Sequence, residues 1–287
     1  MRNKAEPRNI IGVGDRTLGP DPALVGVLNV TPNSFSDGGD FLDPEKAASR
    51  ATSMLDDGAQ IIDVGGESTR PGSDPVPPEE EVRRVVPVIR TILAECPSAI
   101  VSIDTYRAAT AGAALEAGAQ IVNDVTALRA DPSMIELVAD THCPVVLMHM
   151  LGEPKTMQRA PRYDDVVREV RDFLARRTEH AVAAGIEPEN VILDPGIGFG
   201  KTAEHNLLLL RRLEVLVALG FPVLVGTSRK RFIGEITGVE EAKDRVFGTV
   251  AANVIAYERG ATLFRVHDVR ANREALAVAQ AVRSGAR

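Results

Sequence analysis

Leu24-Val25-Gly26-Val27-Leu28-Asn29 decides how the rest of the chain is read. It is a short apolar run that ends abruptly in an amide. The same unit recurs at Ile61-Ile62-Asp63-Val64, Ile100-Val101-Ser102-Ile103-Asp104, Ile121-Val122-Asn123-Asp124 and Val145-Val146-Leu147-Met148-His149. It returns at Val191-Ile192-Leu193-Asp194, at Val223-Leu224-Val225 and at Leu263-Phe264-Arg265-Val266-His267. Runs this short and this rich in Val and Ile read as parallel strands buried on both faces. Amphipathic stretches at 47–57, 79–94, 107–117, 163–184 and 203–219 predict helices between them. Gly58, Gly118, Gly185, Gly220 and Gly260 stand where helices end.

Eight β-then-α units without a break in composition predict a single-domain (β/α)8 TIM barrel over residues 24–287. Residues 1–23 read as an extension whose Gly14-Asp15 turn fits a hairpin closing the barrel floor. A doubly wound open sheet is the rival architecture. No Gly-x-Gly-x-x-Gly follows the first strand, which weakens its dinucleotide-binding form.

Composition narrows the function classes. A net charge of −7 over 287 residues gives no basic stripe for a nucleic-acid backbone. Two distant cysteines, Cys96 and Cys143, make neither a disulfide framework nor a zinc site and read as reduced thiols. A polar stretch at 1–8 and the lack of a long apolar run argue against export and membrane spanning. A cytoplasmic enzyme is the expectation.

The polar residues that are costly to bury stand at the carboxyl ends of all eight predicted strands. In a barrel those ends converge on one mouth, where sites are built. Asp104, Asn123, Asp194 and Lys230 suit a flat heterocycle rich in donors and acceptors. Asn29, Arg265, His267 and Arg70 suit a phosphate or pyrophosphate, with a divalent metal beside it. Two long glycine-rich loops, 31–39 and 65–72, read as lids that close over substrate.

With these residues in view, the chain resembles the dihydropteroate synthase family. Val27-Leu-Asn-Val-Thr-Pro-Asn-Ser-Phe-Ser-Asp-Gly-Gly39 and Asp63-Val-Gly-Gly-Glu-Ser-Thr-Arg-Pro-Gly72 are similar to its two signatures. Ser102-Ile-Asp-Thr105, Asn123-Asp-Val125, Leu147-Met-His149, Asp194-Pro-Gly-Ile-Gly-Phe-Gly-Lys-Thr202, Gly226-Thr-Ser-Arg-Lys230 and Arg265-Val-His-Asp-Val269 continue the likeness in order.

The resemblance implies joining of 6-hydroxymethyl-7,8-dihydropterin pyrophosphate to p-aminobenzoate, with release of pyrophosphate, in folate synthesis. It implies that Asp104, Asn123, Met148, Asp194, Phe199 and Lys230 hold the pterin. It implies that Phe35, Thr69, Arg70, Pro71 and Ser228 line the p-aminobenzoate pocket, with Phe199 adding to its apolar wall. Asn29, Arg70, Arg265 and His267 would bind pyrophosphate, with Asn29 also on Mg2+. Asp37, Asp104, Asp194 and Lys230 would carry the catalysis.

The resemblance also implies a homodimer, for which a helix at 246–257 offers Val250, Val254 and Ile255, although core packing explains those positions as well. The family is the target of sulfonamides, and a sulfonamide-insensitive form stays open. Thr126-Ala127-Leu128 and Asn33 depart from the usual pattern beside the site. Two rival readings are a non-catalytic pterin-binding paralogue and a pterin-binding methyl-transfer barrel, the latter having no need of the lids. His149 reads as a packing or hydrogen-bonding residue rather than a base. Gly200-Lys201-Thr202 lacks the upstream glycine of a nucleotide phosphate loop.

Overall fold

A computed structural model describes residues 11–19, 21–31, 43–67, 76–152 and 156–285. A short antiparallel hairpin, β1 (Ile11–Val13) and β2 (Arg16–Leu18), comes first. Then β3 (Ala23–Asn29), α1 (Pro44–Asp56), β4 (Ile61–Gly65), α2 (Pro78–Glu95), β5 (Ile100–Asp104) and α3 (Ala108–Glu116) alternate. β6 (Ile121–Asp124), α4 (Ser133–Thr141), β7 (Val145–Met148), α5 (Val166–Ala183) and β8 (Val191–Asp194) continue the order. α6 (Ala203–Arg211), α7 (Glu214–Val217), β9 (Leu224–Val225), α8 (Arg231–Thr237), α9 (Val246–Glu258), β10 (Leu263–Val266) and α10 (Val269–Ser284) complete it.

The parallel strands pair in the order β8-β7-β6-β5-β4-β3-β10-β9. A parallel bridge between Leu193 and Val223 joins β8 to β9 and closes the ring. The eight-stranded barrel is therefore as the sequence predicts. One helix differs: the stretch at 203–219 is two helices, because the chain breaks at Arg212 and turns both Leu213 and Leu216 into the core.

Side chains on a strand alternate in direction, so every second residue faces the barrel axis. The lowest inward layer takes one residue from each strand: Val25, Ile61, Ile100, Ile121, Val146, Ile192, Leu224 and Leu263. Ile11, Val13 and Leu18 of the hairpin pack against that layer and plug the floor. The outward-facing residues form a second, larger core against the helices. Two residues further along the strands the inward layer changes character, with Asp63, Ser102, Asn123, Met148, Asp194 and Arg265. One more step of two brings Asn29, Asp104, Ser228 and His267. The barrel is oil at its floor and polar at its mouth.

Candidate active site

The polar upper layers open into a cavity of about 670 Å³. Asn29, Asp104, Asn123, Met148, Asp194, Phe199, Ser228, Lys230, Arg265 and His267 all line it. Every site residue expected from sequence that falls in the described stretches is thus brought to one space. Phe35, Asp37, Thr69, Arg70 and Pro71, and Asn33 beside them, lie outside the described residues.

Arg265 organises one wall. Its Nε donates to Asp63 Oδ2 at 2.6 Å and a terminal nitrogen donates to Asp104 Oδ2 at 2.7 Å. Burial works against the guanidinium's charge, yet Asp63 and Asp104 more than offset it and raise its pKa. Asp63 is fully buried and also accepts from Asn123 Nδ2 at 3.1 Å. One carboxylate therefore orients both a cation and an amide of the site. The sequence alone gives Asp63 no role; counting in twos from inward-facing Ile61 turns it into the barrel.

The same wall is left short of donors. Asp104 Oδ1 and Asp63 Oδ1 are buried and have no hydrogen-bond partner among the described residues. Burial pushes the Asp104 carboxyl up to about 7, with Arg265 opposing and Asp63 assisting. Across the cavity, Asp194 Oδ1 accepts from the Gly196 N–H at 2.6 Å. Burial lifts Asp194 to about 6, against that hydrogen bond and the charges of Lys230, Lys201 and Arg265. Buried carboxyls lacking donors are costly alone and become favourable when a ligand supplies N–H groups.

The opposite wall comes from the loop after β9. Arg229 adopts a left-handed backbone, φ 60°, and its side chain turns away to pair with both oxygens of Asp268. That turn points its neighbours Ser228 and Lys230 into the mouth. Ser228 Oγ lies 2.9 Å from His267 Nδ1 and accepts from the His267 N–H. Lys230 Nζ sits 4.0 Å from the centre of the Phe199 ring, a cation–π contact. Met148 groups with Val125, Met150 and Met157 as an apolar patch beside Phe199.

His149 faces outward, away from the cavity. Its ring meets Phe173 edge-on at 4.8 Å, and burial, with Lys201 and Arg129, lowers its pKa to about 2. It is a neutral packing residue, as its sequence position suggested. The unusual turn at Thr126-Ala127-Leu128 also faces away. Its Ala127 and Leu128 are left-handed at φ 54° and 60°, and Arg177 donates to both their carbonyls. Among the described residues no group of three or more His, Cys, Asp or Glu could hold a metal ion.

Comparison with known proteins agrees with this geometry. The family model described as "Pterin binding enzyme" matches residues 25–267. The dihydropteroate synthase of Synechocystis is 46% identical over 259 residues, covering 90% of this chain and 89% of that one. A solved dihydropteroate synthase of Xanthomonas albilineans with 4-aminobenzoic acid is 47% identical, with a TM-score of 0.90 over 98% of this chain and 99% of that one. The same organism's enzyme in complex with 7,8-dihydropteroate is 45% identical, with a TM-score of 0.87 over 96% and 99% of the two chains.

Proposed function

The chain belongs to the pterin-binding enzyme family, among its dihydropteroate synthases, and from that premise we infer how its barrel mouth carries out the transfer. It is a transferase that joins 6-hydroxymethyl-7,8-dihydropterin pyrophosphate to p-aminobenzoate, giving 7,8-dihydropteroate and pyrophosphate. The observation that carries the site assignment is the unpartnered Oδ1 of Asp104 on the wall of an acceptor-rich cavity, with the equally unpartnered Oδ1 of Asp63 just behind it. The 2-amino and ring N–H groups of a pterin supply the donors that wall lacks.

Asp104, Asn123 and Asp194 read the donor edge of the pterin, and Lys230 donates to its acceptor edge. Met148 and Phe199 bracket its faces. The methylene carbon then lies toward Ser228, Arg265 and His267. The carbon–oxygen bond to pyrophosphate breaks with its electron pair on oxygen, and Arg265 and His267 offset the charge that grows there. The electron-rich ring delocalises the positive charge left on the methylene, and Asp104 and Asp194 favour it electrostatically. The p-aminobenzoate nitrogen donates its lone pair to that carbon and afterwards loses a proton to solvent. The aniline is a weak base, so this step needs no strong general base, and neutral, outward-facing His149 supplies none.

Asn29 is half-buried at the mouth and offers one neutral amide oxygen. That oxygen would be the protein's contact to a magnesium ion arriving with the substrate. When bound, such an ion neutralises charge on the leaving pyrophosphate.

A cytoplasmic homodimer is the proposed setting. Both cysteines are unpaired, which suits a reducing compartment, and no described helix is long and apolar enough to cross a membrane. Phe247 is 88% exposed, and Ile255 on the same helix with Val278 and Val282 on adjoining α10 are exposed too. Val250 and Val254 are instead partly buried. An apolar face of this kind needs a cover.

The deciding experiment is dihydropteroate formation from the two substrates with magnesium, with and without a sulfonamide. Product from the native chain that is lost in Asp104→Ala and Lys230→Ala supports the reading. Pterin binding with no turnover overturns it in favour of a binding paralogue. The drug arm settles sulfonamide response, on which the Thr126–Leu128 departure has no direct hold because those residues do not line the cavity.

A further inference from the structure

Lys201 is a buried cation that the reaction scheme leaves unused. Only 3% of the residue is exposed. Its ammonium lies 2.9 Å from His149 Nδ1, 2.9 Å from Gly196 O, 3.0 Å from Phe199 O and 3.3 Å from His149 O. Four acceptors thus surround three protons, and they come from two separate segments. His149 follows β7, whereas Gly196 and Phe199 belong to the turn after β8. Burial lowers the Lys201 pKa to about 7; in its protonated form the group can only donate, and His149 Nδ1 is then the acceptor, with the ring proton on Nε2.

The backbone of the turn is shaped for this cation. Gly196 and Gly200 are left-handed, at φ 64° each. A Cβ on Gly196 would overlap the His149 carbonyl, and one on Gly200 would lie 2.6 Å from the Leu151 carbonyl. The glycines let the turn lie directly on the chain after β7 with its carbonyls gathered inward. A nucleotide phosphate loop gathers N–H groups around an anion. Here the polarity is reversed, and carbonyl oxygens gather around an ammonium.

We propose that Lys201 is a positioning residue for pterin capture: its ammonium ties the His149 end of β7 to the 196–199 turn and so fixes the Phe199 ring against Lys230. Two further observations support this assignment. Phe199 is the residue whose carbonyl Lys201 holds and whose ring carries Lys230 Nζ at 4.0 Å. Its ring is also only partly buried, resting on the apolar patch of Val125, Met148, Met150 and Met157 where it lines the cavity. A buried unpaired carbonyl is costly, so loss of the ammonium leaves the turn to find other donors and lets the ring drift. Lys201 lies in the cavity wall, yet its protons are spent on the protein rather than on substrate. The assignment rests on the pterin reading of the mouth.

The test is a double-mutant cycle on Lys201→Met and Phe199→Ala, read as affinity for 6-hydroxymethylpterin by calorimetry and as KM for the pterin pyrophosphate. Lys201→Met is expected to weaken pterin binding by about tenfold or more, with a smaller loss in kcat. In the Phe199→Ala background the same change is expected to cost less than about threefold, because the ring it positions is gone. Full, additive losses in the double variant overturn the proposal, as does a Lys201→Met protein that melts lower but binds pterin as the native chain does. If the Met variant does not fold, Lys201→Gln, whose amide still donates to two carbonyls, takes its place in the same cycle. Native enzyme that makes no dihydropteroate would sink the functional reading instead, and the two failures are thereby distinct.

Discussion

At the scale of single residues, the mouth is governed by unequal sharing. One guanidinium serves two carboxylates, and one of those carboxylates also fixes the amide of Asn123. Asp63 is the hub, although it does not itself line the cavity. Asp63→Asn leaves Arg265 with a single anionic partner and lets the Asn123 amide turn. We expect kcat/KM for the pterin substrate to fall about 30- to 100-fold, the effect of disturbing a buried charged hydrogen bond. Steady-state kinetics beside a circular dichroism spectrum separates that loss from unfolding.

The acidic pair Asp104 and Asp194 also predicts a pH signature with opposed signs. Both must be ionised to accept from the pterin, and burial has raised them to about 7 and about 6. Pterin affinity should therefore fall as the pH drops through 7 to 6. In the folded, empty protein these carboxyls hold protons more tightly than in the unfolded chain, where 3.8 is the ordinary value. Their contribution thus favours the fold on acidification through the same window, down to the unfolded value. Comparing the pH dependence of Tm in native chain and Asp194→Asn isolates the stability half; titrating pterin binding gives the other. An affinity flat between pH 6 and 7.5 would count against both assignments.

At the scale of elements, the strands were legible and some of their connections were not. A buried parallel strand has no freedom to be polar except at its end, so eight apolar runs and their terminal residues stand out. Helix α6 was overextended because no Gly or Pro marks its end; tertiary packing of Leu213, not local propensity, breaks it. The turn at Thr126-Ala127-Leu128 shows the same limit. The backbone at Ala127 and Leu128 is left-handed, a conformation that glycine adopts without strain. This chain holds two non-glycine residues in that conformation by other means. Asp124 accepts from the Thr126 and Leu128 N–H groups, and Arg177 of α5 caps the Ala127 and Leu128 carbonyls. Arg177→Ala should destabilise the protein by about 1–3 kcal/mol while leaving KM for p-aminobenzoate within about twofold. A thermal melt and an activity assay on one preparation decide it.

At the scale of the whole molecule, the two ends of the barrel perform separate tasks. The hairpin seals one end with Ile11, Val13 and Leu18, all buried against the lowest inward layer. Ile11→Ala should cost about 2–4 kcal/mol of stability, the range for truncating a buried branched side chain. Since the floor lies two inward layers below the chemistry, kcat and KM of the folded fraction should stay near native values. A loss of turnover without a change in Tm would show that the ends are coupled.

The plugged floor also has a consequence for traffic. With its lower axis filled by eleven apolar side chains, the barrel is a vessel with its opening at the polar end. Two reactants must enter and two products must leave by that doorway. The deeper occupant cannot be exchanged while the shallower one remains, so the order of arrivals and departures is imposed by the architecture. A pyrophosphate that lingers beside Arg265 and His267 keeps the next pterin pyrophosphate outside. Inhibition by added pyrophosphate should accordingly compete with that substrate and not with p-aminobenzoate, making turnover in a crowded cell a matter of how quickly the anion is cleared.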